Sequence, residues 1–294
     1  MKQTIMVLAR SLLHSFRSYE IAALIYLSST AILAIIARSH IDGWSSIILL
    51  HTIFVSIIIL LNKIDSHNSV FLSILRDWYI LLFIPFLFRE LTVLSKSIFP
   101  YYPEPFLISL EAKLELLYKK YFSFFEPRFW LTELMSFAYW SYFPLIPAIG
   151  LRIRNKDGGR GFEFYILKIS LTLFICYGLF ILMPARGPHH SSFGSHPESL
   201  NGGIFYHVIL YMQNQGSAVG AAFPSAHVTV SWISVFALRK TERCLYRITA
   251  SLVFLLTISA FYLRYHYVLD ALAGYVLAIG LERIYSKVNH QQEK

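Results

Sequence analysis

The amino-acid sequence predicts an all-α protein, a polytopic membrane helical bundle with about eight transmembrane helices. Hydrophobic residues make up 56% of the 294 residues and charged residues only 15%, whereas soluble domains have about 45 to 50% and about 25%. A soluble fold of this length has no way to bury so much apolar surface. The apolar residues also form eight long runs, and a helix of about 20 such residues spans a bilayer.

The eight apolar runs follow one another along the chain. They cover residues 19–37, 44–61, 78–94, 131–151, 162–183, 222–238, 248–263 and 267–285. The first run begins too late for a signal peptide and lacks a small-residue cleavage site, so we interpret it as a retained span. We expect residues 1–62 to form two accessory transmembrane helices, and residues 63–294 to form a core that holds the other six spans.

The positions of Lys and Arg predict the orientation of the bundle. Most of the 26 basic residues lie in the two terminal segments and in the loops that follow the second, fourth and sixth runs. Cytoplasmic segments of membrane proteins are enriched in Lys and Arg, so we expect both termini in the cytoplasm. The remaining loops, expected on the extracytoplasmic side, are residues 39–43, 95–130, 184–220 and 264–266. The net charge of +9 is therefore a topology signal, and no basic patch with stacking aromatics predicts nucleic-acid binding.

Residues 104–128 differ from the eight runs because charged residues interrupt them. Most of these charged side chains fall on other faces of the helix than the apolar ones. The apolar side chains at helical spacing are Phe106, Leu110, Leu114, Leu117, Tyr121 and Phe124. This pattern predicts an interfacial helix on the outer leaflet. Such a helix is either a brace across the bundle or a lip that guides a lipid sideways into a site, and we favour the brace.

Three polar clusters fall on the extracytoplasmic side of this arrangement. They are MPARGPHH at residues 183–190, FPSAH at 223–227 and YLRYHYVLD at 262–270. Ionisable groups in or beside membrane helices are costly, so each cluster is a candidate for function. One interpretation is purely structural: each cluster only provides hydrogen-bond partners for the end of its own helix. Three such clusters on one side of the membrane favour a shared site instead.

The residues of these clusters indicate chemistry on phosphate. Ser225 is a good N-cap, so the free N–H groups at this helix start attract an anion such as phosphate. His227 lies in the first turn, where it can donate a proton to a leaving oxygen. His266 and Asp270 share one helix face, so the carboxylate can hold one imidazole N–H and leave the other nitrogen as a nucleophile or base. Arg264 offers a planar fork suited to phosphate oxygens.

These residues resemble a known family. FPSAH followed by SAFYLRYHYVLD is similar to the second and third signature motifs of the type 2 phosphatidic acid phosphatase superfamily, whose usual forms are PSGH and SRxxxxxHxxxD. MPARGP, which contains Arg186, takes the place of the first motif, usually KxxxxxxRP. The motifs and their helices cover about residues 131–285, roughly half of the chain, and they are specific as an ordered set.

The resemblance implies a six-helix phosphatase-like core and a two-step phosphoryl transfer that needs neither a metal ion nor another cofactor. By this likeness His266 attacks phosphorus and becomes phosphohistidine, Asp270 orients it, and His227 protonates the departing alcohol. The residues implied to hold the phosphate oxygens are Arg186, Ser225, Ala226 and Arg264. The implied substrate is a phospholipid or polyprenyl (di)phosphate, presented at the outer leaflet among the membrane lipids.

Three positions depart from the pattern of this family. Ala226 stands where the second motif usually has Gly, which is a mild change. Ala260 stands where the third motif usually has Arg, and Leu179 stands where the first usually has Lys. These departures look like the branch that includes inositol phosphorylceramide synthases, which pass the phosphoryl-bearing group to an alcohol. A polar alcohol acceptor such as inositol is therefore an alternative to water. Hydrolysis is slightly favoured, because water needs no special site.

Functions of other classes stay open at this point. A lipid transporter or scramblase is the main non-catalytic alternative, although the polar groups gather at one face instead of lining a path. A zinc or copper site would draw on four loop histidines whose spacing matches no tight ligand pattern, namely His189, His190, His196 and His207. Asp77, Arg89 and Glu90 in the third run are either structural ion partners or a second polar patch near the site.

Overall fold

Helices make up nearly all of the described chain. The computed structural model describes residues 16–63, 69–95, 97–99, 102, 104–121, 127–190, 200–239 and 241–292. Its helices are α1 (Ser18–Ile36), α2 (Trp44–Lys63), α3 (Val70–Leu94), α4 (Glu104–Tyr121), α5 (Phe129–Trp140), α6 (Tyr142–Leu182), α7 (Ile204–Gly216), α8 (Ala226–Ala237), α9 (Arg243–Tyr262) and α10 (Val268–Gln292). Within these ranges there is no β-strand, and the predicted all-α class is confirmed.

Five of these helices are long and apolar enough to cross a membrane, namely α1, α2, α3, α6 and α9. Helix α8 is also apolar but has only 12 residues. The predicted polytopic helical bundle is therefore confirmed. The number of eight spans stays a prediction.

The predicted fourth span, and the cytoplasmic loop predicted after it, differ from the structure. Helix α5 ends at Trp140 and α6 begins at Tyr142. Between them the hydroxyl of Ser141 donates to the carbonyl of Ala138 at 2.6 Å. Helix α6 continues through the predicted loop and is broken only at Gly158, which has φ +72 and ψ −167, a conformation that glycine adopts without a Cβ clash. The basic segment that predicts a loop is therefore helical on both sides of a glycine kink.

Helix α7 lies inside the segment 184–220, which the sequence predicts as a loop. The carboxylate of Glu133 on α5 accepts three N–H groups at the start of α7, from Gly203 at 2.7 Å, Phe205 at 2.8 Å and Tyr206 at 3.2 Å. The first N–H groups of a helix have no partner inside the helix, so an acceptor there stabilises it. Glu133 lies 70 residues before Gly203, and no local pattern reveals such a partner.

Helix α8 packs against α6, α9 and α10 in the interior of the bundle. Its buried side chains are mostly small or β-branched, which lets neighbouring helices approach closely. The hydroxyl of Thr229 donates to the carbonyl of Gly274 on α10 at 3.1 Å. A Cβ on Gly274 would lie only 2.7 Å from the carbonyl oxygen of Ser225. The start of α8 is therefore fixed against α10.

Ion pairs between helices account for one of the charged residues in the third apolar run. Asp77 of α3 lies 2.7 Å from a guanidinium nitrogen of Arg17 and also pairs with Arg154 of α6. Lys168 of α6 lies 2.7 Å from Glu282 of α10. Asp77 is thus a structural ion partner, which is one of the two roles that the sequence leaves open.

A buried His–Glu pair joins α2 to α3. Nε2 of His51 lies 2.8 Å from Oε2 of Glu90, and both side chains are buried. In the described part of the chain, Nδ1 of His51 and Oε1 of Glu90 have no hydrogen-bond partner. Each residue therefore depends on the other for its polar contact in an apolar setting, and the pair connects α2 to the rest of the bundle.

We expect Glu90→Leu alone to lower the free energy of unfolding by about 3–5 kcal/mol, because it leaves His51 buried without a partner. The double variant His51→Leu/Glu90→Leu should recover most of this loss, since an apolar pair needs no polar partner. Thermal unfolding in detergent, followed by circular dichroism, measures both. A double variant no more stable than the single one would contradict the coupling of the two residues.

Candidate active site

The first polar cluster is joined to the second by main-chain hydrogen bonds. The N–H of Ala185 donates to the carbonyl of Gly220 at 3.1 Å, and the carbonyl of Ala185 accepts from the N–H of Ala222 at 3.1 Å. These contacts form one parallel bridge outside any sheet. Arg186, the next residue after Ala185, is thereby held beside the segment that leads into α8.

The third polar cluster is joined to the other two in a similar way. The N–H of Ser225 donates to the carbonyl of Asp270 at 2.9 Å. Gly187 approaches the carbonyl oxygen of Tyr265 so closely that a Cβ on this glycine would lie 2.7 Å from it. The structure therefore brings the three sequence clusters together at the start of α8.

His266 has its Nδ1 atom held from two sides. Nδ1 lies 3.1 Å from the carbonyl oxygen of Ala222 and 3.5 Å from Oδ2 of Asp270. A carbonyl oxygen only accepts, so Nδ1 carries the hydrogen and Nε2 keeps its lone pair. The tautomer that a nucleophile needs is thus set first by a main-chain carbonyl, and the carboxylate named by the sequence is the more distant partner.

Asp270 is completely buried. Its Oδ2 atom accepts the N–H of Tyr267 at 2.8 Å, which ties the turn before α10 to the first turn of that helix. Its Oδ1 atom has no hydrogen-bond partner in the described part of the chain. The carboxylate therefore orders the backbone next to His266 and adds negative charge beside the imidazole ring.

His227 lies in the first turn of α8, half-buried between aromatic rings. Its ring centre is 5.1 Å from that of Tyr139 and 4.5 Å from that of Tyr142. The ring centres of His227 and His266 are 6.1 Å apart. One reacting group can therefore lie between a nitrogen of each ring, which is the arrangement that a nucleophile and a proton donor need.

Ser225 and Ala226 begin helix α8. Ser225 is fully buried, and its Oγ atom accepts the N–H of Val228 at 3.4 Å, as an N-cap. The capping role that the sequence predicts for Ser225 is therefore present. The free N–H groups at this end of α8 and the helix dipole favour an anion beside Ala226 and His227.

Arg186 and Arg264 are both half-buried, and Arg264 lies two residues before His266 in the sequence. The guanidinium carbon of Arg186 lies 5.1 Å from the centre of the Tyr102 ring, a cation–π contact. Arg264 has φ +61, which is uncommon for a residue with a Cβ and is concentrated at functional sites. The segments that carry these two cations are thus fixed beside the histidines.

A cavity of about 660 Å³ lies beside the histidines, and ligand cavities commonly measure about 300–1,000 Å³. His227, His266 and Ala226 line it, together with an apolar wall from α3 and α6. The predicted site residues that do not line it are Arg186, Ser225, Arg264 and Asp270. The two histidines are therefore the ionisable residues of the predicted set that face the cavity.

The loop histidines proposed as metal ligands are only partly described. His189 and His190 line the cavity, His207 lies on α7, and His196 lies outside the described residues. Burial lowers the pKa of His190, and the neighbouring His189 and Arg186 lower it further. Within the described ranges, no group of three His, Cys, Asp or Glu side chains is arranged to hold a metal ion.

Helix α4 carries the first residues of the apolar stripe that the sequence predicts for an interfacial helix. Phe106 and Leu110 of that stripe are exposed, whereas Leu107 and Glu111 are buried. The stripe residues whose side chains lie outside the described part are Leu117, Tyr121 and Phe124. The apolar stripe thus faces away from the protein, where lipid can cover it, because the side that meets the bundle carries a carboxylate with partners there.

Glu111 is a residue that sequence reasoning missed. Its Oε1 atom accepts the N–H of Val268 at 2.9 Å, and Oε2 accepts that of Leu269 at 3.5 Å. These N–H groups belong to the first residues of α10, so Glu111 caps the helix that carries Asp270. His266 lies in the turn before this helix, and the sequence prediction that it shares one helix face with Asp270 is therefore wrong. Helix α4 is therefore attached to the bundle at the candidate site.

A family model described as the PAP2 superfamily matches residues 105–282, a range that contains the three clusters and Glu111. The chain belongs to the PAP2 superfamily. Neither a curated protein nor a solved structure gives a match to it. PAP2 superfamily members are phosphatases or phosphotransferases, so enzymatic chemistry of this general type on lipid phosphates follows. The likeness to the inositol phosphorylceramide synthase branch stays a resemblance.

We expect Gly187→Ala to destabilise this PAP2 superfamily site, because the added Cβ would lie 2.7 Å from the carbonyl oxygen of Tyr265. Overpacking of this kind costs about 1–3 kcal/mol. Gly178→Ala on α6 is the matched control, since nothing lies within 4 Å of its added Cβ and alanine favours a helix. Thermal unfolding in detergent compares them, and equal melting temperatures would contradict the close packing at Gly187.

Glu111, at the PAP2 superfamily site, makes a contribution to the free energy of unfolding that depends on pH. Burial raises the pKa of its carboxyl above 4.5, against the lowering by the N–H groups of Val268 and Leu269. The folded state then binds the proton more tightly than the unfolded state, so the contribution is largest at low pH and falls as the pH rises through the raised pKa. Melting temperatures measured over a pH range that starts below pH 4.5 test this role. We expect the melting temperature of Glu111→Gln to fall less with rising pH than that of the wild type. A variant with an unchanged pH profile would refute this role.

Proposed function

We propose that the protein is an integral-membrane lipid phosphate phosphatase that works through a phosphohistidine on His266. The observation that carries the proposal is the pair of histidines that face one cavity, with ring centres 6.1 Å apart. The hydrogen on Nδ1 of His266 is directed to a carbonyl 3.1 Å away, which leaves Nε2 free to attack. Membership in a superfamily of phosphatases and phosphotransferases supports the same reaction type.

The proposed reaction has two steps. In the first, Nε2 of His266 forms a bond to phosphorus while the bond from phosphorus to the lipid oxygen breaks, and protonated His227 gives its proton to that oxygen. In the second, water attacks phosphorus and the nitrogen–phosphorus bond breaks, while His227 takes a proton from the water. The products are a lipid alcohol and inorganic phosphate, and both histidines return to their starting states. No step uses a metal ion or another cofactor.

The phosphate oxygens are held by fixed positive charge in this proposal. The free N–H groups at the start of α8, next to Ala226, provide one part. From the resemblance of their motifs we assign the rest to Arg186, Arg264 and the hydroxyl of Ser225, whose side chains do not line the cavity but whose segments are fixed beside the histidines. Preorganised donors of this kind commonly contribute most to catalysis, because charge builds up on the oxygens in the transition state.

The substrate class follows from the apolar wall of the cavity. Helix α3 lines the cavity from Trp78 to Arg89, which corresponds to about 16 Å of helix rise. An apolar chain lying along this wall would place its phosphate at the histidines. The Lys and Arg distribution supports an extracytoplasmic site with both termini in the cytoplasm. In a bacterium this is the outer side of the cell membrane, and in a eukaryote the lumenal side of an endomembrane.

Transfer to an alcohol acceptor, such as inositol, is the second candidate. Polar side chains line the cavity beside the histidines, and Nε2 of His190 lies 3.1 Å from Oγ of Ser217. Gln213 also lines the cavity and donates to the hydroxyl of Tyr139 at 3.2 Å. These groups offer hydrogen bonds to a bound hydroxyl compound, which would replace water in the second step.

We expect the purified protein in detergent with EDTA to release inorganic phosphate from a panel of phospholipid and polyprenyl phosphates. His266→Ala should abolish release, and His227→Ala should lower its rate by about 10²- to 10⁴-fold, as for a lost general acid. Arg247→Gln, at an exposed arginine on α9, is the control and should keep the wild-type rate. The intermediate is tested with a ³²P-labelled substrate and a denaturing gel. We expect a labelled protein band for the wild type and none for His266→Ala.

The remaining outcomes separate the alternatives. Release only when inositol is added, with a phosphorylated inositol as product, would replace hydrolysis by transfer. Loss of release in EDTA, restored by a divalent metal, would contradict the metal-free mechanism. Lipid movement across vesicles without any covalent change to the lipid would favour a transporter or scramblase instead.

A further inference from the structure

The three charged residues of the third apolar run have different surroundings in the structure. Asp77 pairs with two arginines, and Glu90 pairs with His51. Arg89 has neither an ion-pair partner nor a hydrogen-bond partner among the residues that the structure describes. Its side chain is exposed, although it lies within α3, a helix apolar enough to cross a membrane. An arginine in such a helix is costly and marks a functional position by default.

Arg89 faces the cavity that contains the two histidines. It lines this cavity together with His227 and His266. It stands five residues before the end of α3 at Leu94, or about 7 Å of helix rise from that end. The guanidinium is therefore available to a molecule that occupies the cavity.

Arg89 gives the lining of the cavity its positive charge. Among the described residues that line it there is no Asp, Glu or Lys, and Arg89 alone carries a permanent charge. The other ionisable lining groups are histidines and tyrosines. A positive charge beside an apolar cavity wall is screened less than one that water surrounds on all sides, so it attracts an anion that enters the cavity.

We propose that Arg89 binds the phosphate oxygens of the lipid substrate inside this cavity. A guanidinium presents a planar fork that matches two oxygens of one phosphate group, which a lysine or a histidine does not. The inference rests on the proposed function, because it takes the anion to be the phosphate of that substrate. Arg89 lies before residue 105, where the match to the PAP2 superfamily begins, so the contact belongs to this chain's own amino-terminal helices.

The alternative is that the guanidinium extends to water at the membrane surface and binds nothing, as arginines near helix ends do. The two roles differ in one measurable property. An arginine that only reaches water does not change the affinity of the cavity for an anion. An arginine that holds the substrate does, and its effect depends on the negative charge of the ligand.

The test is equilibrium binding of n-dodecylphosphonate, whose carbon–phosphorus bond resists cleavage, to the full chain in detergent by titration calorimetry. We expect saturable binding by the wild type and by His266→Ala, and a Kd raised about tenfold or more in Arg89→Gln, as for a lost charge-assisted hydrogen bond. Arg89→Lys should fall between them, because it keeps the charge and loses the fork. Arg38→Gln, at an exposed arginine that does not line the cavity, should bind as the wild type does. Dodecanol, which has no charge, should bind all variants alike.

An unchanged Kd in a folded Arg89→Gln protein would overturn the inference, as would equal weakening of dodecanol binding or no saturable phosphonate binding by the wild type. The melting temperature of each variant shows whether it is folded. If only the proposed function is wrong, the result is different. Phosphonate binding would then still depend on Arg89, but the protein would turn over no lipid phosphate with either water or inositol as acceptor.

Discussion

The 3.1 Å contact between Nδ1 of His266 and the carbonyl oxygen of Ala222 is the interaction on which the rest of the site depends. It has the right geometry only if the strand-like segment before α8 is fixed, and the main-chain bonds to Ala185 fix it. It also requires a constant distance between α8 and α10, which the close contact at Gly274 provides. Packing in the centre of the bundle is therefore what sets the protonation of one imidazole nitrogen.

Much of this arrangement follows from the sequence, because its signals are local. Composition and the apolar runs give the all-α membrane class, and the three motifs give the residues that gather at the start of α8. The partners of those residues do not follow. Ala222 lies 44 residues before His266, and Glu111 lies 157 residues before Val268. No residue type marks a main-chain carbonyl that will accept a hydrogen bond from a distant side chain. In the sequence, a glutamate that caps another helix also looks the same as a glutamate that faces water.

Helix α3 shows why charge alone does not define function in a membrane segment. The sequence does not distinguish Asp77, Arg89 and Glu90, because all three are ionisable residues in one apolar run, where a charge is energetically costly. The structure separates them by what each one meets. Asp77 and Glu90 are paired with side chains from other segments, and Arg89 lines the cavity that the histidines also line. Burial and partners are properties of the assembled bundle, so a helix considered by itself cannot supply them.

The main-chain character of the contacts around the site also affects its tolerance of sequence change. Ala185, Gly220, Ala222 and Ser225 join the three segments through N–H and carbonyl groups, which nearly every residue type provides. Selection at such positions acts on size and backbone conformation more than on side-chain chemistry. The side chain next to them can then be exchanged without loss of these bonds, as at Ala226, which stands where the family's second motif usually has Gly. New substrate preferences can thus evolve around a catalytic centre whose skeleton stays the same.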